Sequence, residues 1–96
     1  MQETTNKALF SLGQLVATPG ALASLAKAGQ TPLDFLSRHV CGDWGDIDKD
    51  DRKENELGLK RGFRILSTYR TNAGTKIWVI TEADRSVTTV LLPDEY

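Results

Sequence analysis

The stretch RGFRILSTYRTNAGTKIWVITEADRSVTTVLLP, residues 61–93, decides the fold. It contains three runs rich in Ile, Val, Thr, Tyr and Trp, residue types that are typical of strands. The runs span residues 62–70, 75–82 and 86–92, and short polar segments separate them at 71–74 and 83–85. Asn and Gly in the first segment accept the positive φ that tight hairpins need. The stretch therefore predicts an antiparallel meander of three strands.

Large apolar side chains fall on both faces of this meander. Residues alternate between the faces of a strand, and in the middle strand one face receives Ile77 and Val79 while the other receives Trp78 and Ile80. We expect one face to form the core and the other to be partly covered. Pro93 ends the third strand, because proline has no N–H for the ladder.

The size and charge of the chain limit the classes of protein that it can belong to. Its 96 residues suffice for one domain with a single core, which we assign to residues 1–96. Twelve Lys and Arg residues against 13 Asp and Glu residues give a formal net charge of −1. No global basic field therefore attracts nucleic acid or an anionic membrane. No apolar run approaches the roughly 20 residues that span a bilayer, so we expect a cytoplasmic protein without a membrane partner.

Two Thr-Pro pairs predict helices ahead of the meander. At residues 18–19 and 31–32 a capping hydroxyl stands just before a proline in the first turn, which is typical of a helix start. The first helix is expected over residues 21–28. The second is expected to run to about Val40, with its apolar stripe facing inward; that stripe consists of Leu33, Leu36 and Val40.

A third helix is predicted to begin at Asp48, because acidic residues are enriched near its start and Lys60 and Arg61 stand at its end. Leu57 and Leu59 are expected to anchor it. Residues 7–18 fit two interpretations, a helix face or a strand, and we favour an extended segment that adds a fourth strand. The predicted class is α+β, with two or three N-terminal helices followed by a three- or four-stranded antiparallel meander sheet.

No metal or cofactor site is expected. A lone cysteine, Cys41, excludes an intramolecular disulfide and a Cys-rich metal site. The acidic run at residues 43–51 lacks the spacing of a calcium loop, because its sixth position would be Asp51 instead of Gly and its twelfth Leu57 instead of Glu. We expect these carboxylates to stabilise a helix N-terminus.

One set of residues is compatible with catalysis. His39 is the only histidine, and a helix C-terminus favours its protonated form, which suits a general acid. Glu82 and Arg85, in the polar hairpin tip, are candidates for a base and a phosphate-binding cation. Each has a structural alternative: the histidine shapes a turn, and Glu82 and Arg85 form an exposed ion pair worth at most about 1 kcal/mol.

A second set is compatible with binding. Trp44 follows Asp43 in a loop of glycines and acids, and we expect it to be at least half buried, since exposing a Trp leaves a large apolar surface in water. Cations and aromatic groups also occur on the predicted sheet, namely Arg64, Tyr69, Arg70, Lys76 and Trp78. This is the composition of an RNA-binding face. However, Tyr69 and Arg70 point to opposite faces.

Three segments carry a resemblance to a known family: RHVCGDWGD at 38–46, ENELGLKRGFRILSTY at 54–69 and TKIWVITEADRSVTTVLLPDEY at 75–96. They resemble the small plasmid-related proteins of bacterial plasmids and other mobile elements. The similarity covers nearly the whole chain from Leu9, and IWVITEADRSVTTVLLP is its most specific part. The resemblance implies a mobile-element setting and no particular activity.

A weaker resemblance, at the level of the fold, is to the barnase/RelE-like ribonucleases. These enzymes place helices before a small antiparallel sheet and use His, Arg, Glu and Thr or Ser. The resemblance implies catalytic roles for His39, Glu82, Arg85 and Thr88. The acidic balance of this chain departs from the basic ribonuclease toxins.

Two functions are therefore carried forward. The first is an accessory protein of a plasmid or other mobile element that binds a host or plasmid-encoded protein, or RNA, without catalysis. The alternative is a small metal-independent ribonuclease of barnase/RelE-like type. One histidine, no basic field and no metal constellation favour the first, and the sequence leaves open whether the chain is an enzyme.

Overall fold

The computed structural model describes residues 7–96. The elements follow one another as β1 (Gln14–Ala17), α1 (Pro19–Lys27), α2 (Pro32–Val40), α3 (Lys49–Arg61), β2 (Ile65–Arg70), β3 (Lys76–Thr81) and β4 (Val87–Leu91), with a single 3₁₀ turn at Pro93–Glu95. The predicted α+β class is confirmed. The extended segment expected within residues 7–18 is β1. Among the described residues, no helix is long and apolar enough to cross a membrane.

The predicted meander and both of its turns are confirmed. Strand β3 lies between β2 and β4 and is antiparallel to each, and Trp78 pairs with Leu91 across the second interface. In the first turn, Gly74 adopts a φ of 88°. In the second turn the left-handed position is occupied by Arg85, with a φ of 62°.

The prediction of a purely antiparallel sheet is wrong at one edge. The strand order is β1-β4-β3-β2, and β1 runs parallel to β4. Parallel neighbours need a long crossover connection, which the three helices and the rest of the meander supply here. Gly13 allows the close approach just before β1, because a Cβ at this position would overlap the backbone carbonyls of Arg85 and Ser86.

The core lies between one face of the sheet and helices α1 and α2. Its buried members are Ala21, Leu25, Phe35, Leu36, Tyr69, Ile77, Val79 and Val90. Phe35 stacks on Tyr69, with ring centroids 5.1 Å apart. The expected stripe on α2 is therefore shifted: Leu33 is 67% exposed, while Phe35 and His39 are buried beside Leu36. The shift arises because the side of α2 that carries Phe35 and His39 packs against the aromatic and polar side chains of the sheet.

Helix α3 is attached to the sheet by different residues from those expected. Asp48 accepts a hydrogen bond from the backbone N–H of Asp51, as predicted for the helix start. However, the buried positions of α3 are Asn55 and Gly58, while Leu57 is exposed and Leu59 is partly buried. A Cβ at Gly58 would lie only 2.8 Å from the Ile65 side chain, so α3 approaches the start of β2 too closely for a larger residue.

Candidate functional site

His39, the candidate general acid, is a buried part of the core. Its side chain has no exposed surface. Its Nδ1 lies 2.6 Å from the hydroxyl of Ser67, and its Nε2 lies 2.9 Å from the hydroxyl of Thr81. The ring of Phe10 packs edge-on against the imidazole at 5.3 Å between centroids. Both polar atoms of the imidazole are therefore already engaged.

A chain of hydroxyl groups determines which nitrogen of His39 carries the proton. Thr88 donates to the carbonyl of Leu12 at 2.7 Å, so its oxygen accepts in the 2.6 Å bond with Thr81. Because Thr81 donates its one hydrogen to Thr88, it accepts from His39, whose Nε2 must hold the proton. Ser67 then donates to Nδ1. The neutral imidazole satisfies every member of this chain.

Burial, and secondarily the positive charge of Arg85, lower the pKa of His39 from its ordinary value of 6.5 to about 4. The expected imidazolium at the end of α2 is therefore absent at neutral pH. The structure does bring His39 and Thr88 together through Thr81, but all three are fully buried. A group that acts on a substrate must reach it within about 3 Å, which burial prevents in this conformation.

Arg85 holds the backbone together instead of presenting a free cation. Its guanidinium donates to the carbonyl oxygens of Phe63 at 2.7 Å, Gly58 at 2.9 Å, Glu82 at 3.1 Å and Ala83 at 3.3 Å. It thereby ties the second hairpin turn to the end of α3. The Glu82 side chain is exposed, and the bond between these two candidate residues runs to the Glu82 backbone.

The loop between α2 and α3 is likewise anchored. Trp44 is only 4% exposed, which confirms its predicted burial. Tyr69 donates its hydroxyl to the carbonyl of Asp43 at 2.6 Å, and the Asp43 carboxylate pairs with Arg38 at 2.8 Å. Burial raises the pKa of the Tyr69 hydroxyl. Three of the candidate binding residues, Asp43, Trp44 and Tyr69, therefore position this loop against the sheet.

The other two binding candidates lie on the face of the sheet that is turned away from α1 and α2. We call this the open face, and its strand residues are Gln14, Val16, Leu66, Thr68, Arg70, Lys76, Trp78, Ile80, Val87, Thr89 and Leu91. At its centre Ile80 and Leu91 are buried. Trp78 is partly exposed, and the flanking Arg70 and Lys76 are exposed. The open face thus has a packed apolar floor and a polar rim.

Three further contacts connect the aromatic and cationic groups there. Tyr96, which is 69% exposed, meets the ring of Trp78 at 5.8 Å and an angle of 70°. Arg64 donates to the Tyr96 hydroxyl at 2.6 Å, and its guanidinium carbon lies 5.8 Å from the centre of that ring. We refer to Arg64, Arg70, Lys76, Trp78 and Tyr96 as the aromatic–cationic patch. Tyr96 was missed because only the 3₁₀ turn after β4 folds it back onto β3.

The cations of the patch form no close ion pairs, although Asp51 and Glu54 line a pocket together with Arg64. Arg70 and Lys76 stand directly opposite each other in the β2–β3 register, and like charges so placed repel. Within residues 7–96, Arg38 and Asp43 form the one ion pair whose nitrogen–oxygen distance is under 4.0 Å. The cations of the patch therefore form no such pair with a described carboxylate. The nearby Glu95 is held by Thr18 and by the N–H groups of Gly20 and Leu92.

In the described part of the chain, no three His, Cys, Asp or Glu side chains converge in a way that would hold a metal ion. Comparison of the chain with family models, with curated proteins and with solved structures found no match.

Proposed function

We propose that this chain is a binding module without chemistry of its own, which recognises the acidic surface of a partner protein through the aromatic–cationic patch. One observation carries the proposal: Trp78 and Tyr96 contact each other on an exposed sheet face that also carries three cations, none of which forms an ion pair under 4.0 Å with a described carboxylate.

The composition of the patch matches the energetic centre of a protein interface. Trp, Tyr and Arg dominate the residues whose truncation costs most in binding, and they cluster over well-packed surroundings. Here Trp78 and Tyr96 stand beside Arg64, over a floor of buried Ile80 and Leu91. Strand β3 therefore presents Trp78 from a rigid element, so this anchor loses little conformational freedom on binding.

The charge of the patch specifies an acidic partner. Arg70 and Lys76 repel each other across the strands in the free protein. A carboxylate placed between them would relieve this repulsion, and arginine offers a bidentate geometry for it. Such complementarity raises the association rate and selects the partner.

RNA is the less favoured partner. The net charge of −1 opposes a polyanion, and a base needs an aromatic face on which to stack. In the patch, Arg64 lies near the face of the Tyr96 ring, and Trp78 is in edge-to-face contact with it. Under the mobile-element setting that the sequence resemblance implies, the proposed partner is a host or plasmid-encoded protein.

The ribonuclease alternative loses its acid–base group in this conformation. His39 is neutral and buried, and Arg85 is engaged with four carbonyl groups. We expect purified protein to leave RNA intact in the presence of a metal chelator. Cleavage that His39→Ala abolishes, in a variant that keeps its circular dichroism spectrum, would restore the alternative.

The binding proposal is tested with two charge-matched double variants. Arg70→Glu/Lys76→Glu reverses two cations of the patch, whereas Lys49→Glu/Lys53→Glu reverses two exposed cations on α3. Each protein is immobilised and used to capture proteins from a nuclease-treated bacterial lysate. Species retained by the wild type and the α3 variant but lost by the patch variant are identified, purified and titrated by calorimetry.

We expect at least one such purified protein to bind directly, with an affinity that falls about tenfold or more in the patch variant and that weakens at high salt. Equal affinity for the two double variants would refute the role of the patch. Direct binding of a single-stranded RNA oligonucleotide, lost in the patch variant, would assign the same surface to RNA instead.

A further inference from the structure

One edge of the sheet is closed by hydrogen bonds to other segments, and the other edge is open among the described residues. On the outer edge of β2, the backbone of Leu66 bonds to the Asn55 side chain, and the backbone of Thr68 bonds to Trp44 and Asp46. On the outer edge of β1, no other strand among residues 7–96 lies against the sheet. An open edge is a template for pairing with another strand, and folded proteins usually cover it.

The polar groups available on β1 can be identified from its pairing with β4. Gln14 donates to Ser86 and Thr18 donates to Val90, so the even-numbered residues point towards β4. Because residues alternate along a strand, Leu15 and Ala17 direct their N–H and C=O groups to the open side. Leu15 is also 54% exposed. Two donors and two acceptors thus lie in a row along an apolar edge.

Beside this edge is a groove of about 340 Å³ on the helix-covered side of the sheet. It is lined by Leu15, Val16, Ala17, Pro32, Leu33, Leu36 and Val90. No ionisable side chain contributes to this lining, so the groove offers nothing to a charged ligand and does not repel an identical surface. An occupant that satisfies both the edge and the groove is an extended, apolar, uncharged segment.

We propose that this occupant is the β1 strand of a second copy of the chain, paired antiparallel about a two-fold axis. The outward groups favour one register, because all four of them are used when Leu15 of one copy pairs with Ala17 of the other, which places Val16 opposite its own counterpart on the axis. This gives four backbone hydrogen bonds, and the large Leu15 meets the small Ala17 at both ends. Such self-complementarity is what a two-fold interface requires.

The side-chain directions agree with this register. Leu15 and Ala17 pair with Thr88 and Val90, whose side chains lie on the helix-covered face. Leu15 of the second copy therefore lies over Ala17 and enters the groove near Leu33. The paired sheets form one eight-stranded sheet, in which β2 and its closed edge are outermost. The inference is independent of the proposed function, since it uses the opposite edge of the sheet from Arg70.

A disulfide experiment tests the register. In a Cys41→Ser background, Val16→Cys places two thiols across a non-hydrogen-bonded pair, with Cα atoms about 4.5 Å apart, within the range of a disulfide. Gln14→Cys lies on the same exposed face, but its counterpart is displaced by four residues, roughly 13 Å. We expect rapid intermolecular crosslinking of Val16→Cys and little crosslinking of Gln14→Cys.

Sedimentation equilibrium over a wide range of concentrations tests the association itself. Leu15→Lys and Leu33→Lys each put a charge into the interface and are expected to weaken the dimer about tenfold or more. Leu22→Lys makes the same change at a leucine of similar exposure on α1, outside the groove, and should dimerise like the wild type. Circular dichroism shows whether each variant has folded.

Three results would overturn the inference. The first is a wild type that stays monomeric throughout, which would show that this edge does not pair with a second copy. The second is a dimer that persists unchanged in both Leu15→Lys and Leu33→Lys. The third is equal crosslinking of Gln14→Cys and Val16→Cys, which means that the copies meet in another register or through another surface.

Discussion

Asn55 forms, through its side-chain amide, both of the hydrogen bonds that the backbone of Leu66 presents at the outer edge of β2. Its Nδ2 donates to the Leu66 carbonyl at 2.7 Å, and its Oδ1 accepts from the Leu66 N–H at 3.0 Å. The amide thus replaces the neighbouring strand that this edge lacks. It also fixes α3 against the sheet, which an apolar residue at this position would not do.

We predict that Asn55→Ala lowers the free energy of unfolding by roughly 1–3 kcal/mol, because it leaves an edge N–H and C=O without protein partners. Urea denaturation measures the change. Glu56→Ala alters the next, exposed residue of the same helix and should change stability by less than about 0.5 kcal/mol. Equal stabilities for the two variants would show that the amide contributes nothing.

Because His39 is buried, we predict that the folded protein loses stability in weakly acidic solution. Its pKa in the folded protein is about 4, against an ordinary value of 6.5, so between these values the unfolded chain binds the additional proton. The contribution is therefore fully present above pH 6.5 and decreases as the pH falls towards 4. The full difference is roughly 3 kcal/mol, of which roughly 2 kcal/mol is lost by about pH 5.

Urea denaturation at several pH values, with imidazole NMR of the native protein, checks this prediction. His39→Gln removes the titrating group, and its stability should change little between neutral pH and about pH 5. A native imidazole that titrates near its ordinary value would contradict the burial of a neutral ring.

Alanine substitutions at two glycines with similar φ angles distinguish the cost of backbone strain from the cost of steric overlap. Gly45 and Gly29 have φ angles of 75° and 70°. A Cβ at Gly29 would meet no atom within 4 Å, whereas a Cβ at Gly45 would overlap the carbonyl oxygen of Thr68. We expect Gly29→Ala to cost about 1 kcal/mol and Gly45→Ala to cost several kcal/mol, measured by thermal unfolding. Similar costs would mean that the loop moves away from β2 easily.

Arg85→Lys is predicted to destabilise the fold by about 1–2 kcal/mol although it keeps the charge. The planar guanidinium reaches four carbonyl groups on three segments, and an ammonium group cannot reproduce that fork. Arg61→Lys makes the same change at an exposed arginine at the end of α3 and is the control. Chemical denaturation that leaves Arg85→Lys as stable as the wild type would argue against this structural role.

Local sequence patterns were sufficient for most of the secondary structure. Runs rich in Ile, Val, Thr, Tyr and Trp predicted the three strands of the meander, and the turn before Thr75 was visible as Asn and Gly. Thr-Pro pairs and Asp48 marked the helix starts. These features depend on neighbours a few residues apart, so the sequence shows them directly.

The errors arose where distant segments meet. Apolar content suggested Leu33 and Leu57 as contacts, but the folded chain buries His39 against the face of the sheet and Asn55 at the edge of β2. The parallel pairing of β1 likewise depends on where the meander ends after three helices, which local composition does not encode.

By itself, the sequence determined an α+β domain with a three-stranded meander, one histidine and little net charge. Only the tertiary structure decided that His39 is neutral, because its hydroxyl partners, Ser67 and Thr81, come from separate strands. Only the tertiary structure placed Arg64 and Trp78 against Tyr96 on one exposed face. The protonation of a side chain and the composition of a surface depend on contacts between residues far apart in the chain, and those exist only in the folded molecule.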